Sequence, residues 1–286
     1  MSDAETADAA TAPMQRIDVA ALIAPIHADD PCGPDLEEQG DLDFSNFHNN
    51  GASLLDQNFF AFDRAKAKLP EWIAEGEKLF ARSRDVRLST MIAKFAIIDR
   101  NLALFVRHLV ALARLLETRW ETLRPAPYEG DHSYMLSFAQ SLDDLKTTGL
   151  PLEHLPVARH ARLGVLNYRM QLVSSGAVAP RVWKNEDEEE VTETYPDVEE
   201  IARAMADVAI DDLAAMRDQL LAAEAALALM REVSIAHVGH KDALTFKILA
   251  PKLKGMAEWL DRCVALRDPA RALNPAAAAE PGDGGD

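Results

Sequence analysis

The residues whose types and spacing could do chemistry are a cysteine in a turn-like segment and two closely spaced histidines. Cys32 lies in Pro31-Cys32-Gly33-Pro34-Asp35-Leu36-Glu37. A nucleophilic thiol needs positively charged neighbours that favour the thiolate, whereas the acidic neighbours of Cys32 should raise the pKa of its thiol. We therefore predict no catalytic role. The prolines fix φ, Gly33 supplies a turn and Asp35 caps the residues that follow.

His237 and His240 stand three residues apart, with Asp242 close behind, a spacing near that of metal ligands. A zinc site needs three or four converging ligands, and no other part of the sequence offers a matching spacing. We therefore predict a polar turn between two helices here, with no bound metal and no cofactor. A helical metal-dependent hydrolase that uses His237, His240 and a carboxylate stays open as an alternative function.

The charge balance indicates which partners to expect. The 286 residues include 30 Lys and Arg against 47 Asp and Glu, a formal net charge of −17. A surface of this sign repels phosphate backbones and anionic lipid, so we expect no nucleic acid and no membrane insertion, and basic protein surfaces fit better. The acidic segment 186–200 holds nine of these acids without a Lys or Arg, but such a run is usually solvated and selects no partner by itself. No signal-peptide pattern and no apolar run of about 20 residues is present, which predicts a cytoplasmic protein.

The apolar spacing predicts helices throughout the chain. Pro70 suits a first helical turn, and Asp85 and Asn101 suit helix N-caps. Residues 31–51 look like a loop with one short helix. Apolar side chains at heptad spacing over 213–230 and 249–263 predict two long C-terminal helices, with Pro251 kinking or restarting the second. No segment alternates long enough to indicate a strand. We predict an all-α fold, an antiparallel helical bundle or hairpin stack with a long C-terminal helical hairpin.

The predicted organisation has five parts: a disordered lead (1–15), a helical domain (16–175), an acidic loop or linker (176–195), C-terminal helices packing on the same domain (196–270) and a disordered tail (271–286).

Short motifs along the chain carry a family resemblance. After Pro31–Glu37 come a Trp-bearing helix, Ser83–Arg87, a Trp followed five residues later by Pro, and Gly164–Arg169. In this order they resemble the ImpA N-terminal domain family, which includes TssA-like components of the type VI secretion system. The motif residues are Pro31, Cys32, Gly33, Asp35, Leu36, Glu37, Trp72, Arg84, Asp85, Arg87, Trp120, Pro125, Gly164 and Arg169. We expect Arg84 to reach a carboxylate such as Asp35 and so to link the first two motifs.

The resemblance implies a non-enzymatic cytoplasmic component of a type VI secretion system that binds baseplate, tube, sheath or membrane-complex subunits. It implies no catalytic residues, and the motif residues are interpreted as structural or as part of an interaction surface. Self-association and the formation of a ring stay open, because ring-building members carry a longer C-terminal region. A cytoplasmic adaptor unrelated to secretion is the second alternative.

Overall fold

The structure, a computed structural model, describes residues 12–185 and 187–273. Most of the predicted disordered lead and tail falls on residues 1–11 and 274–286, which lie outside the described residues. The described part of the lead forms a 3₁₀ turn, Ala12–Arg16, in which Met14 is buried.

Helices dominate the described residues, which confirms the all-α prediction. In chain order they are α1 (Ala20–Ile23), α2 (Leu42–Leu55), α3 (Arg64–Ala67), α4 (Leu69–Arg82), α5 (Val86–Ile98), α6 (Leu102–Arg119), α7 (Ser133–Gln140), α8 (Leu150–Glu153), α9 (Tyr168–Ser174), α10 (Val198–Ala206), α11 (Ile210–Asp242) and α12 (Leu249–Ala265). A π-helical turn, Leu145–Gly149, lies between α7 and α8, and 3₁₀ turns occupy Phe59–Ala61 and Pro269–Arg271.

Two small antiparallel hairpins were missed by the sequence analysis. Strand β1 (Ala158–His160) pairs with β2 (Gly164–Leu166), and β3 (Val182–Lys184) pairs with β4 (Glu190–Thr192). Strands of three residues are too short to show a period-two pattern. The second hairpin lies within the stretch that was predicted to be an acidic loop.

The chain divides into two compact units. Unit one comprises Met1–Leu152 and Asp218–Lys254, and unit two comprises Glu153–Arg217 and Gly255–Asp286. The domain boundaries predicted from the sequence stay a prediction. None of the helices in the described ranges combines the length and the apolar character that a bilayer crossing requires.

Helix α5 lies at the centre of unit one. It packs against α2, α4, α6, α7 and the π-helical turn, and every residue from Val86 to Ile98 except Lys94 is buried. A helix that is covered on all sides belongs to the core. Its polar side chains therefore depend on partners from the surrounding elements.

The predicted helix starts are confirmed. The side chain of Asp85 accepts a hydrogen bond from the backbone N–H of Arg87, and that of Asn101 accepts one from Leu104. Pro70 lies in the first turn of α4. These caps satisfy N–H groups that the first turn of a helix leaves without an internal partner.

The prediction of a mostly irregular segment at 31–51 was wrong in its second half, because α2 runs for 14 residues. Its serines, histidine and asparagines are weak helix formers, so this helix has no clear signal in the sequence. Asp41 caps this helix, Phe44 and Phe47 bury its apolar side, and Gly51 lies so close to α5 that an added Cβ would meet the Met91 sulfur at 2.5 Å.

The two long C-terminal helices are confirmed as α11 and α12, joined by residues 243–248. Gly239 adopts a non-helical φ of 77° near the end of α11. Pro251 does not kink α12, because it lies in the first turn, where no internal hydrogen bond from its nitrogen is needed.

Candidate functional site

Three of the sequence motifs meet in unit one. We call Pro31–Glu37, Ser83–Arg87 and Trp120–Pro125 together the motif cluster. Main-chain hydrogen bonds join them directly. The Arg84 N–H donates to the Cys32 carbonyl at 2.7 Å, the Arg124 N–H donates to the Arg84 carbonyl at 3.1 Å, and the Val86 N–H donates to the Arg124 carbonyl at 2.8 Å. Segments distant in sequence are thus held in register by backbone groups.

Arg87 supplies the central charge of the motif cluster and is only 1% exposed. Its Nε and Nη2 donate to Asp85 at 3.0 and 2.7 Å, Nη2 also donates to Asp35 at 2.8 Å, and Nη1 donates to Glu37. The guanidinium lies 4.7 Å from the centroid of the Phe44 ring. One cation therefore holds carboxylates from two motifs and packs on α2.

The environment keeps this arginine charged. Burial alone would lower the pKa of Arg87, but Asp85 and Asp35 outweigh burial and raise it above the ordinary arginine value. Burial raises the pKa of the Asp85 carboxyl, and the hydrogen bonds from Arg87 oppose that rise. The Glu37 side chain is 52% exposed, so solvent screens the excess negative charge.

The expected link from Arg84 to Asp35 was wrong, because Arg87 makes it. The Arg84 guanidinium instead donates to main-chain carbonyls: Ala24 at 3.2 and 3.1 Å, Ala21 at 3.1 Å and Phe80 at 2.7 Å. Carbonyls at helix C-termini lack internal partners and carry partial negative charge. Arg84 thus binds the ends of α1 and α4, although burial lowers the pKa of its guanidinium.

Gly33 lies where the first motif approaches the end of α4 at Arg82. Its φ is +70°, and an added Cβ would lie 2.5 Å from the Arg82 carbonyl oxygen. The hydroxyl of Ser83 donates to the Pro34 carbonyl at 2.7 Å, and Arg124 Nε donates to the Gly33 carbonyl at 2.8 Å. The turn can form only where no side chain occupies this space.

Cys32 is completely buried. Its Sγ lies 3.5 Å from the Thr122 hydroxyl. Burial is the main reason that the pKa of the thiol is raised, and Asp30 contributes less. The raised thiol pKa was expected from the sequence, but acidic neighbours, the cause expected there, contribute less than burial. A buried protonated thiol is a poor nucleophile.

Trp120 belongs to an aromatic stack that also contains the candidate metal ligand His237. The rings of Trp120 and His237 are 4.1 Å apart and nearly parallel. Trp120 Nε1 donates to His132 Nε2 at 3.1 Å. Among the described residues, no group of three or more His, Cys, Asp or Glu could hold a metal ion, so this geometry supplies no ligand set for His237 and His240.

The remaining motif residues of unit one are packing residues. Leu36 is fully buried, and Trp72 is half-buried against the rings of Phe47 and Phe95. Pro125 follows Arg124 through a cis peptide bond.

The last motif lies in unit two. Gly164 begins β2 with a φ of +74°. Arg169 on α9 is buried, and its Nη2 donates to Glu193 at 2.7 Å, while its Nη1 donates to Glu153 at 3.4 Å. Burial would raise the pKa of Glu193, but hydrogen bonds from Arg169, the Arg181 backbone and Tyr195 lower it to about 2. Arg169 thereby anchors the base of the β3–β4 hairpin.

Sequence reasoning missed several partners in these contacts. Phe44 and Glu193 carry no motif signal, and Glu193 appeared only as part of an acidic run. Asp143 accepts hydrogen bonds at 2.8 Å from the backbone N–H groups of Lys247, Ile248 and Leu249 at the start of α12. A partner more than 100 residues away leaves no local pattern by which to find it.

The arrangement defines a helical domain in which the motif side chains are occupied with one another. The guanidinium groups pair with carboxylates or helix-end carbonyls, and the thiol is buried. These contacts join segments that lie far apart in the sequence.

Comparison with known proteins finds a family similarity over the same region. Residues 23–144 match the family model for the ImpA N-terminal region of the type VI secretion system, which confirms the resemblance seen in the motifs. The chain is also similar to a solved structure from Burkholderia cenocepacia, the N-terminal domain including the conserved ImpA_N region of the TssA component of the type VI secretion system. The identity is 18%, the TM-score is 0.65, and the match covers 88% of this chain and 95% of the other. No curated protein matches the chain significantly.

Proposed function

We propose that this chain is a non-enzymatic component of a type VI secretion system and acts in the cytoplasm by docking on other subunits of the apparatus. The family match over residues 23–144 carries the proposal. The same region contains the motif cluster, whose ionisable groups bind one another. The partners would be baseplate, tube, sheath or membrane-complex subunits.

The mechanism is association without covalent chemistry. A standard protein interface buries about 800 Å² on each partner, an area that a few exposed helix turns can supply. Binding then positions the partner during assembly, and its strength is set by the few residues that are fully desolvated at the interface.

A deletion strain tests the proposal. Removal of the gene should abolish release of the tube protein into the medium, and the wild-type gene supplied in trans should restore it. In parallel, the purified chain should bind at least one purified baseplate, tube, sheath or membrane-complex subunit. Normal secretion by the deletion strain, together with no binding to any of these subunits, would contradict the proposal and favour an adaptor unrelated to secretion.

A further inference from the structure

An open groove of about 590 Å³ runs along α5 in unit one. We call it the Lys94 groove. Its floor is one face of α5, with Arg87, Thr90, Met91 and Lys94 at helical spacings of three and four residues. Its walls come from α2, from α7 and from the π-helical turn, and the lining includes Ala52, Leu55, Phe138, Ser141 and Thr147. Single π-helical turns often occur at functional sites.

Lys94 is the residue that distinguishes this groove. It alone of the residues of α5 is only partly buried. Its Nζ donates to the Ser141 hydroxyl at 3.0 Å, although an ammonium group has three donors. Within the described residues no carboxylate oxygen lies within 4.0 Å of this Nζ. The groove thus contains a half-buried cation without an ion-pair partner.

The nearby acids are already engaged. Asp143 accepts three backbone N–H groups at the start of α12. Asp144 accepts hydrogen bonds from the backbone and the hydroxyl of Thr147 at 2.7 and 2.8 Å. Burial lowers the pKa of Lys94, and Asp144 only partly opposes this. A partly desolvated ammonium is stabilised when a carboxylate reaches it.

The other lining residues indicate which kind of molecule would carry a carboxylate that pairs with Lys94. Met91, Phe138 and Leu55 give the lining an apolar part, which suits aliphatic or aromatic side chains. Asp56 at the end of α2 and Lys146 in the π-helical turn are both exposed and also line it, so the lining carries charges of both signs. The net charge of −17 on the whole chain disfavours a polyanion such as a nucleic acid backbone. One carboxylate among apolar side chains is the pattern of an amphipathic protein segment.

We propose that the Lys94 groove is the docking site for an amphipathic segment of a protein partner, with one Asp or Glu of that segment paired to Lys94. This inference rests on the proposed function, because it names the surface and the chemistry by which the chain would recognise a secretion subunit. The apolar side chains of the segment would contact Met91 and Phe138.

The test uses the full chain and the purified secretion subunit that the binding experiment above identifies. Lys94→Met removes the charge, Lys94→Glu reverses it, and Ala52→Trp fills the groove from an exposed position. Each should weaken binding at least tenfold in calorimetric titration. Lys78→Met, which removes an exposed lysine of α4, is the matched control and should bind like the wild type.

Two further measurements keep the test independent of folding defects. Thermal melting should show that Lys94→Met is at least as stable as the wild type, because the substitution removes a poorly solvated charge. A photo-crosslinker at Ala52 should label a segment of the subunit that contains Asp or Glu, and changing that acid to Lys should restore binding to the Lys94→Glu chain.

The outcomes separate the two proposals. Binding by the wild type and equal binding by all groove variants, or a cross-linked segment without an acidic residue, would overturn the groove and leave the proposed function intact. Absence of binding to any subunit would overturn the groove, and normal secretion by the deletion strain in addition would contradict the proposed function.

Discussion

Replacing Arg87 with methionine should destabilise unit one by about 3–5 kcal/mol, which is the usual cost of breaking a buried ion pair by removing one partner. The side chain is 1% exposed, and its partners Asp85 and Asp35 are 0% and 4% exposed at their side chains. Methionine keeps the length of the aliphatic stem, so the change tests the charge and its hydrogen bonds more than packing.

The magnitude follows from what remains after the substitution. Asp85 still accepts the backbone N–H of Arg87, and Asp35 still accepts that of Glu37, so neither carboxylate loses every partner. Both nevertheless lose the only cation that contacts them in the described structure. Against a total stability of typically about 5–15 kcal/mol, the loss should shift the unfolding midpoint strongly.

Urea unfolding followed by circular dichroism measures the effect. Arg82→Met is the control, because its pair with Asp41 is half-exposed and such pairs are worth about 0–1 kcal/mol. The double variant Arg87→Met/Asp35→Asn should lose less stability than the sum of the two single variants. Each single change leaves one member of the ion pair without its partner, whereas the double change removes both charges. If Arg87→Met costs no more than Arg82→Met, the motif cluster does not stabilise the fold as argued.

Three other expectations concern Gly33, His108 and the cysteines. Gly33→Ala should lower the free energy of unfolding by about 1–3 kcal/mol, because the φ of Gly33 is +70° and an added Cβ would meet a carbonyl oxygen. Urea melts that match the wild type would show that the turn adapts. His108 of α6 is completely buried. Burial lowers the pKa of its imidazole to about 3, against about 6.5 when unfolded, so the unfolded chain takes up this proton first as the pH falls. The free energy of unfolding should decline below about pH 6.5, by up to about 1.4 kcal/mol per pH unit, until about pH 3. His108→Phe should remove this part of the pH dependence. An equal pH slope in both proteins would show that His108 is not its source. Burial raises the pKa of Cys32 and brings that of Cys263 to about 11, so both thiols should react with a disulfide reagent far more slowly in native protein than in urea, and rapid native labelling would count against this burial.

The parts of the fold that could be predicted were those with a local cause. Pro70, Asp85 and Asn101 mark helix starts because each acts within its own first turn, and the apolar repeats of α5 and α6 reflect the extensive burial of both helices. Helix α2 was concealed because it depends on Phe44, Phe47 and close packing at Gly51, which overcome weak helix propensity. The β hairpins were concealed because their strands are only three residues long.

The candidate site, like the fold, could be predicted only where the cause is local. The motifs indicated residues that the structure brings together in unit one, but not which of them pair. Arg84 lies just before α5 and Arg87 lies in its first turn. Their side chains therefore meet different neighbours: Arg84 contacts helix-end carbonyls, and Arg87 contacts Asp35. Choosing between them requires the location of α1 and α4, which no spacing in the sequence provides.

Arg87 and Lys94 lie on the same face of α5, two turns and about 10 Å apart, and both contact the Lys94 groove. Arg87 is neutralised by carboxylates from its own chain, so it contributes shape there but little free charge. Lys94 has no such partner among the described residues, and it is not a motif residue. Polar groups that are satisfied within the chain contribute to stability, whereas a group without an internal partner is available to a partner protein. We therefore expect substitutions of Arg87 to change mainly the stability and substitutions of Lys94 to change mainly partner binding.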